Sequence, residues 1–348
     1  MPHVSVIVIT KNNADTIEEC IKTLLTQTLP HTEYELIFVD GCSSDGTDDK
    51  IEKYASQYGF ISILHENYGK MGYARNLGIG QSRGNVIVFT DGDALLPKEW
   101  LENIVKCLMN GNLDAVGGLD ILVSESKGDA ILDTWRRSTK MNGIKAIPCI
   151  KTVNLAIRKS SIFACDGFDA NLSHWDETEL LSRLIAKKKT TRILYDPDIF
   201  VYHKRQRSLH LASRLKKIFR KSLTGTSVLM RGYVIKVALA NPSSTVGLSF
   251  LFVPFCLLII PLILLSVAIG YFAEFLILCL LSYLAIPLTY SVIAYKKAKT
   301  FSSSVPFLLM LDIAMRFAGT FLGLIRWLVS SKNRSTNLVQ MNKRRDSH

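Results

Sequence analysis

The first hundred residues alternate short apolar runs, each closed by a polar residue, with stretches of helical spacing. Val4 to Ile9 is apolar and β-branched and predicts a first strand. Thr10-Lys-Asn-Asn13 breaks it, and from Asp15 to Thr26 apolar residues recur at Ile17, Cys20, Ile21, Leu24 and Leu25, the spacing of one helix face. Tyr34 to Val39 predicts a second strand ending at Asp40. In Gly41-Cys-Ser-Ser-Asp-Gly-Thr47 glycine supplies a turn, and Asp45 can cap a helix from Gly46 to Gln57. Phe60 to Leu64 reads as a third strand, Tyr73 to Gln81 as a helix, and Asn85 to Thr90 as a buried strand running into Asp91. Strands alternating with helices predict an α/β fold with a doubly wound, mostly parallel sheet. Thr10, Asp40 and Asp91 then fall at the carboxyl ends of strands, where open sheets of this kind bind nucleotides.

The run ends on Asp91-Gly-Asp93. Side chains at i and i+2 of extended backbone point the same way, so both carboxylates can face one point past the strand. Paired carboxylates suit Mg2+ or Mn2+ when substrate phosphates supply the remaining oxygens. Taken alone the pair also fits a turn, because Asp-Gly is a common turn dipeptide.

Past residue 200 the pattern changes. Ten Lys or Arg and no acid lie between His203 and Lys236. Such a stretch suits nucleic acid or anionic lipid, and its place before a long apolar block favours lipid headgroups. From Val246 to Tyr295 the chain is almost continuously apolar and carries one charge, Glu274. Val246 to Phe272 and Ala273 to Tyr295 each exceed the roughly 20 residues a helix needs to cross a bilayer. They predict a transmembrane hairpin turning at Gly270 to Glu274, with Lys296, Lys297 and Lys299 on the cytoplasmic side. Pro306 to Val329 is apolar on one face only, because Asp312, Arg316, Thr320, Gly323 and Arg326 share a helical stripe. It reads as an interfacial helix, with pairing of Asp312 and Arg316 the way to a third span.

Charge and cysteines add compartment to this picture. The formal charge is +12, concentrated in the basic stretch. Seven cysteines show no metal-ligand spacing and no disulfide framework, as in a reducing compartment. Met1-Pro-His-Val-Ser lacks a signal-peptide pattern. The expectation is a multi-pass protein of the cell membrane with its catalytic domain cytoplasmic.

Four segments, Val4 to Asn12, Val39-Asp-Gly-Cys-Ser-Ser-Asp-Gly-Thr47, Gly72-Tyr-Ala-Arg-Asn-Leu-Gly78 and Asp91-Gly-Asp93, resemble the ordered motifs of family 2 glycosyltransferases. Val153 to Arg158, Asp166-Gly-Phe-Asp169 and Trp175-Asp-Glu-Thr-Glu-Leu180 resemble that family's acceptor-side segments. The resemblance runs from Val4 to about Lys221. It implies a GT-A fold (a Rossmann-like, doubly wound sheet) and inverting transfer from a nucleotide-diphosphate sugar. It places the catalytic domain at 1–202, with the nucleotide-sugar half at about 1–95 and the acceptor half at about 96–202. Basic juxtamembrane helices would follow at 203–245, the hairpin at 246–295, and a further helix with a basic tail at 296–348.

The resemblance also assigns residues. Thr10, Asn12, Asp40, Arg75 and Asp91 would hold the nucleotide sugar, with Asp40 on the nucleobase, Asp91 near the ribose and the Arg75 fork on phosphate. Asp93 and Asp91 would hold the divalent metal, with His203 in Val201-Tyr-His-Lys204 a further ligand candidate. Arg205, Arg207 and Arg214 would reach the diphosphate or lipid headgroups. An acceptor hydroxyl needs a carboxylate to take its proton, and Asp176, Glu177 and Glu179 crowd together for that role. The family pattern is Glu-Asp where this chain has Asp-Glu. Position matching selects Glu177, with Asp176 its competitor or an N-cap of the helix.

The Gln-x-x-Arg-Trp element of processive synthases is absent, which favours addition of one sugar. The expected acceptor is a lipid-linked saccharide or other glycan held near the bilayer, with no nucleic-acid partner. A polyprenyl-phosphate sugar synthase is the alternative, and a noncatalytic membrane scaffold or transporter subunit the alternative from another class. A nucleotidyltransferase would carry a glycine-rich loop where Thr10-Lys-Asn-Asn13 stands.

Overall fold

The computed structural model describes residues 3–123, 150–188 and 190–204, with the scattered positions 216, 219–221, 223, 224, 228, 315, 318, 319 and 322. The chain divides into two compact units, and every element named below lies in the first, which takes in Met1–Val123 and Asn142–Arg205.

β1 (Val4–Thr10) and β2 (Tyr34–Asp40) are buried at every position, as expected of strands covered on both faces. β1 pairs in parallel with β2 and with β4 (Val86–Asp91), and β2 with β3 (Ile61–His65). The register sets Thr10 beside Asp40, and Ile9 beside Asp91. The three polar strand ends therefore finish at one edge, as the apolar runs imply.

The rest of the sheet departs from the expected parallel winding. β5 (Ala94–Leu95), β6 (Ala115–Leu122), β7 (Leu155–Arg158) and β8 (Ile193–His203) complete an eight-stranded sheet of order β3-β2-β1-β4-β7-β6-β8-β5. β7 runs antiparallel to both β4 and β6, and β5 antiparallel to β8, so the sheet is mixed. The reason is physical: a strand buried on both faces shows the same apolar run whichever way it points.

Helices cover both faces. α1 (Ile17–Leu25), α2 (Thr47–Ala55) and α4 (Trp100–Asn110) pack on one, against Val6, Val8, Leu36, Phe38 and Val88. α3 (Met71–Gln81), α5 (Lys159–Phe163) and α6 (Asp176–Lys187) pack on the other, against Ile7, Ile37, Val39, Ile87 and Phe89. The alternation of Val6, Ile7 and Val8 between the two cores is the period of two expected of a strand. α3 and α6 share a face although about a hundred residues separate them, and that neighbourhood builds half of the site.

α3 starts two residues before its sequence reading, at Met71. A Cβ on Gly72 would lie 2.1 Å from the Asp169 carbonyl oxygen, so the early turn of α3 needs glycine to sit against that loop. Among the described residues no helix is long and apolar enough to cross a membrane. The predicted hairpin at 246–295, and the basic stretch and the further helix apart from scattered positions, lie outside the described residues.

Candidate active site

The nucleotide side of the site is a pair of stitched loops. Asp40 is fully buried, and its two oxygens accept from the Ser43 amide at 2.7 Å and the Ser43 hydroxyl at 2.6 Å. The Gly41 amide donates to the Thr10 carbonyl at 2.9 Å. The Asn12 amide donates to Ser43 Oγ at 2.8 Å, and the Ser44 amide to Asn12 Oδ1 at 3.0 Å. Thr10 Oγ1 donates to Asn13 Oδ1 at 3.0 Å. Asn12 and Cys42 both have positive φ, 51° and 55°, a conformation such residues rarely hold without support from their surroundings. The cap expected from Asp45 is displaced by one residue. Gly46 occupies the cap position at φ 85°, and Asp45 accepts from the Thr47 amide and hydroxyl behind it. Thr10, Asn12, Asp40 and Asp91 thus share one rim.

At its centre, Gly92 lets the acidic turn approach β1. Its amide donates to the Ile9 carbonyl at 3.0 Å, and a Cβ there would meet Thr10 Oγ1 at 2.8 Å. Asp93 Oδ1 lies 3.0 Å from His203 Nε2. β8 brings the histidine: Ala94 pairs with His203, and the Lys204 amide donates to the Asp93 carbonyl at 2.8 Å. Ligand atoms of Asp91, Asp93 and His203 all lie within 4.8 Å of one another. The three metal candidates of the sequence are therefore one cluster. Two carboxylates and one imidazole form an oxygen-rich donor set that fits Mg2+ or Mn2+. Behind the cluster, burial and the charges of Asp93 and Asp91 push the Cys20 thiol up, so it stays protonated and inert.

The third part is the amino end of α6. Trp175 precedes it at φ 66°, an uncommon backbone for a bulky residue, and occupies the cap position. Asp176 is therefore inside the helix and not its cap. It is 2% exposed and forms an ion pair with Arg75 Nη1, itself on a side chain 3% exposed. Arg75 Nη2 donates to Thr152 Oγ1 at 2.6 Å, and the guanidinium lies 5.7 Å from the Phe168 ring centroid. Burial would lower the guanidinium's pKa, but Asp176, Glu177 and Asp91 together raise it and keep it charged. Arg75 therefore stands among carboxylates from both the acidic turn and α6. The fork that the sequence assigned to phosphate is directed here to Asp176 and Thr152.

The three crowded acids separate into different environments. Glu179 is buried and pairs with Arg183 at 2.6 Å, which also donates to the Gly167 carbonyl at 2.9 Å. Asp176 is buried against Arg75. Glu177 keeps part of its surface open. Desolvation by the protein packed around it and then the charge of Asp176 push its carboxyl up to about 7, against the opposite pull of Arg75. A partly open carboxyl poised near neutrality is what general-base work asks for.

Thr152 carries no mark in the sequence as a site residue, because 77 positions separate it from Arg75. Phe168 stands in an acceptor-side segment but its place at Arg75 comes from the fold, and Arg183 could be found from its i+4 spacing to Glu179. Asn154, in a segment read as acceptor-side, accepts from Trp100 Nε1 and donates to the Leu119 and Ile199 carbonyls, tying α4 to β6 and β8. Arg205 and Arg207 lie outside the described residues, as does Arg214.

Residues 5–168 match the family described as glycosyl transferase family 2. The glycosyltransferase AglE of Haloferax volcanii is 33% identical over 184 residues, covering 50% of this chain and 60% of that protein. The poly(ribitol-phosphate) β-N-acetylglucosaminyltransferase TarS of Staphylococcus aureus is 38% identical over 100 residues, 28% of this chain and 18% of that protein. The chain therefore spans less than two thirds of either relative. Among solved structures, the Pyrobaculum calidifontis mannosyltransferase PcManGT, in complex with GDP-Man and Mn2+, superposes with a TM-score of 0.59 at 19% identity. That likeness covers 95% of this chain and 88% of PcManGT. Residues 1–349 of S. aureus TarS with UDP-GlcNAc give 0.52 at 16% identity, over 94% of this chain and 92% of the other. These likenesses show a shared fold, the GT-A-like mixed sheet.

Proposed function

We propose that this chain, whose residues 5–168 match glycosyl transferase family 2, moves a single sugar from a nucleotide-diphosphate sugar to a hydroxyl of a membrane-bound, lipid-linked saccharide, with inversion. The observation that carries the reading is the cluster of Asp91, Asp93 and His203 together with Arg75, on which Asp91 of that cluster and the Asp176 and Glu177 pair all act.

Each part has a chemical task. The hydrogen-bonded rim of Thr10, Asn12 and Asp40 would hold the nucleoside. Asp91, Asp93 and His203 would hold Mg2+ or Mn2+. When bound, such an ion supplies Lewis-acid stabilisation of the departing diphosphate. Glu177 accepts the acceptor hydroxyl's proton while that oxygen bonds to the anomeric carbon and the nucleotide diphosphate leaves from the opposite face. Positioned proton transfer of this kind contributes about 10²–10⁴-fold. A phosphate acceptor is already anionic near neutral pH and has little need of a base, so the poised carboxyl at Glu177 favours a hydroxyl acceptor over a polyprenyl phosphate. The GDP-Man and Mn2+ of the mannosyltransferase and the UDP-GlcNAc of TarS support a nucleotide-sugar donor and a divalent ion. The apolar segments at 246–295 support a membrane anchor with the active site near the bilayer.

The test is a panel of nucleotide sugars offered to the intact protein in detergent or lipid with Mg2+ or Mn2+, scored by release of the nucleotide. One or more donors should be consumed, faster with lipid-linked saccharide present, and chelator should stop the release. Silence across the whole panel would sink the reading. Faster release with polyprenyl phosphate than with any saccharide would transfer it to the sugar-phosphate synthases.

A further inference from the structure

The ion pair of Arg75 and Asp176, beside Glu177, has no task in the proton transfer itself. The guanidinium is buried on α3 and meets Asp176 through Nη1 and Thr152 through Nη2. The ring of Phe168 lies beneath it. A buried charge without a partner is costly, so the arginine and the aspartate need each other. The next residue along α6 is Glu177, partly open where Asp176 is closed. The fork geometry of arginine holds its partner in direction as well as in charge.

We infer that Arg75 is a positioning residue that divides the work between two adjacent acids, taking Asp176 as its buried counter-ion so that Glu177 is the carboxylate presented to the acceptor hydroxyl. The inference rests on the glycosyl-transfer reading and deepens it. It also answers a question the sequence leaves open, since Asp-Glu stands where the resemblance expects Glu-Asp. The order of the acids does not choose the base; the arginine facing the first of them does. Arg75 on this account does not hold the donor's phosphates.

Among the described residues, the charged groups that act on Glu177 are Asp176 on its own helix and Arg75 on α3, while Asp91 acts on Arg75. Asp176 raises the Glu177 carboxyl and Arg75 lowers it. Removing each charge should therefore move the acid limb of the pH–rate profile in opposite directions. Asp176→Asn should slide the limb to lower pH, and Arg75→Met should slide it to higher pH. In Arg75→Met, kcat should fall about tenfold or more while the donor KM changes by less than about twofold. Because Arg75→Met strands a buried aspartate, the double variant Arg75→Met with Asp176→Asn, which buries no lone charge, is measured beside it. Its limb should lie between those of the single variants.

Each opposite result overturns the inference. These are a limb that stays put in every variant, a kcat that falls only with the folded fraction, a donor KM that rises in Arg75→Met with kcat kept, or transfer lost in Asp176→Asn and kept in Glu177→Gln. Carboxyl-carbon NMR titration of Glu177 in donor-free protein reads the same opposed shifts without any transfer. Loss of activity across all donors with those shifts intact would therefore overturn the proposed function and with it the acceptor role of Glu177, leaving only the Arg75 and Asp176 ion pair and its effect on Glu177, whereas absence of the shifts would overturn the inference whatever the activity.

Discussion

At position 177 two demands conflict, and each can be measured. A general base must be ionised at working pH, yet the protein around Glu177 and its neighbour Asp176 favour the protonated form, raising the carboxyl from 4.5 to about 7. Rate should therefore climb as pH rises through about 7 in the wild type. Glu177→Gln should lower transfer by about 10²–10⁴-fold with donor binding intact, and erase that limb. The same shift has a cost in stability. A folded pKa above the unfolded one contributes stability that is fully present below about 4.5 and lost as pH rises through about 7. Thermal unfolding of Glu177→Gln should accordingly lie above wild type at pH 8, and the gain should shrink toward pH 5. A variant less stable than wild type at pH 8 would contradict the assignment. The acidic turn permits a parallel test. Asp93→Asn and His203→Gln should each weaken Mn2+ binding in a direct titration, and Asp93→Ala should abolish transfer. Wild-type Mn2+ affinity in any of these variants would remove that residue from the cation site.

Elements are held together by buried polar ties as well as by apolar cores. Asp114, just before β6, accepts from Ser161 Oγ at 2.8 Å, Lys188 Nζ at 2.7 Å and the Arg192 amide at 3.0 Å. It thereby joins α5, the end of α6 and the start of β8. Burial would push its carboxyl up, but Lys188, the Arg192 amide and Ser161 outweigh burial and hold it below its usual range. A depressed folded pKa stabilises above the unfolded value of about 3.9 and ceases to do so as pH falls through the folded one. Asp114→Asn should cost about 1–3 kcal/mol near neutrality, the range for spoiling a buried hydrogen-bonded group. In urea the midpoint should fall with the slope unchanged, and part of the acid sensitivity should vanish. Little of this tie was legible in the sequence, since the groups that meet Asp114 come from 47 to 78 residues away. Helical spacing, by contrast, found α1 through Ile17, Cys20, Ile21 and Leu24. It missed the first turn of α3, because Met71 and Gly72 are placed by the loop at Asp169 and not by their own periodicity.

Scaled up to the whole molecule, the sheet explains how distant segments reach one site. β1, β2 and β4 end together because parallel register aligns them, while His203 arrives on β8, paired antiparallel to β5. The proposed attachment to a bilayer adds a test at this scale. A chain ended at Lys236 keeps the basic stretch and lacks the apolar one. It should bind anionic vesicles at low salt, with about 1 kcal/mol from each Lys or Arg near the surface. Salt should release it, because screening acts over about 8–10 Å. The intact chain should stay with vesicles through the same wash. Salt-insensitive binding of the shortened chain, or its preference for nucleic acid over anionic lipid, would show that the basic stretch serves another partner.

The sequence by itself determined the α/β class, the polar strand ends at Thr10, Asp40 and Asp91, and the acidic turn at Asp91 and Asp93. Each is local: a strand's period, its end and its neighbour are written in consecutive residues. Tertiary structure decided what depends on distant parts of the chain. It set the antiparallel direction of β7, which a short apolar strand cannot declare. It joined His203 to a turn 110 positions earlier. It paired Arg75 with Asp176 across 101 residues and so gave two neighbouring acids different environments. Burial and facing charges set what a carboxylate can do, and those come from the helix packed against it.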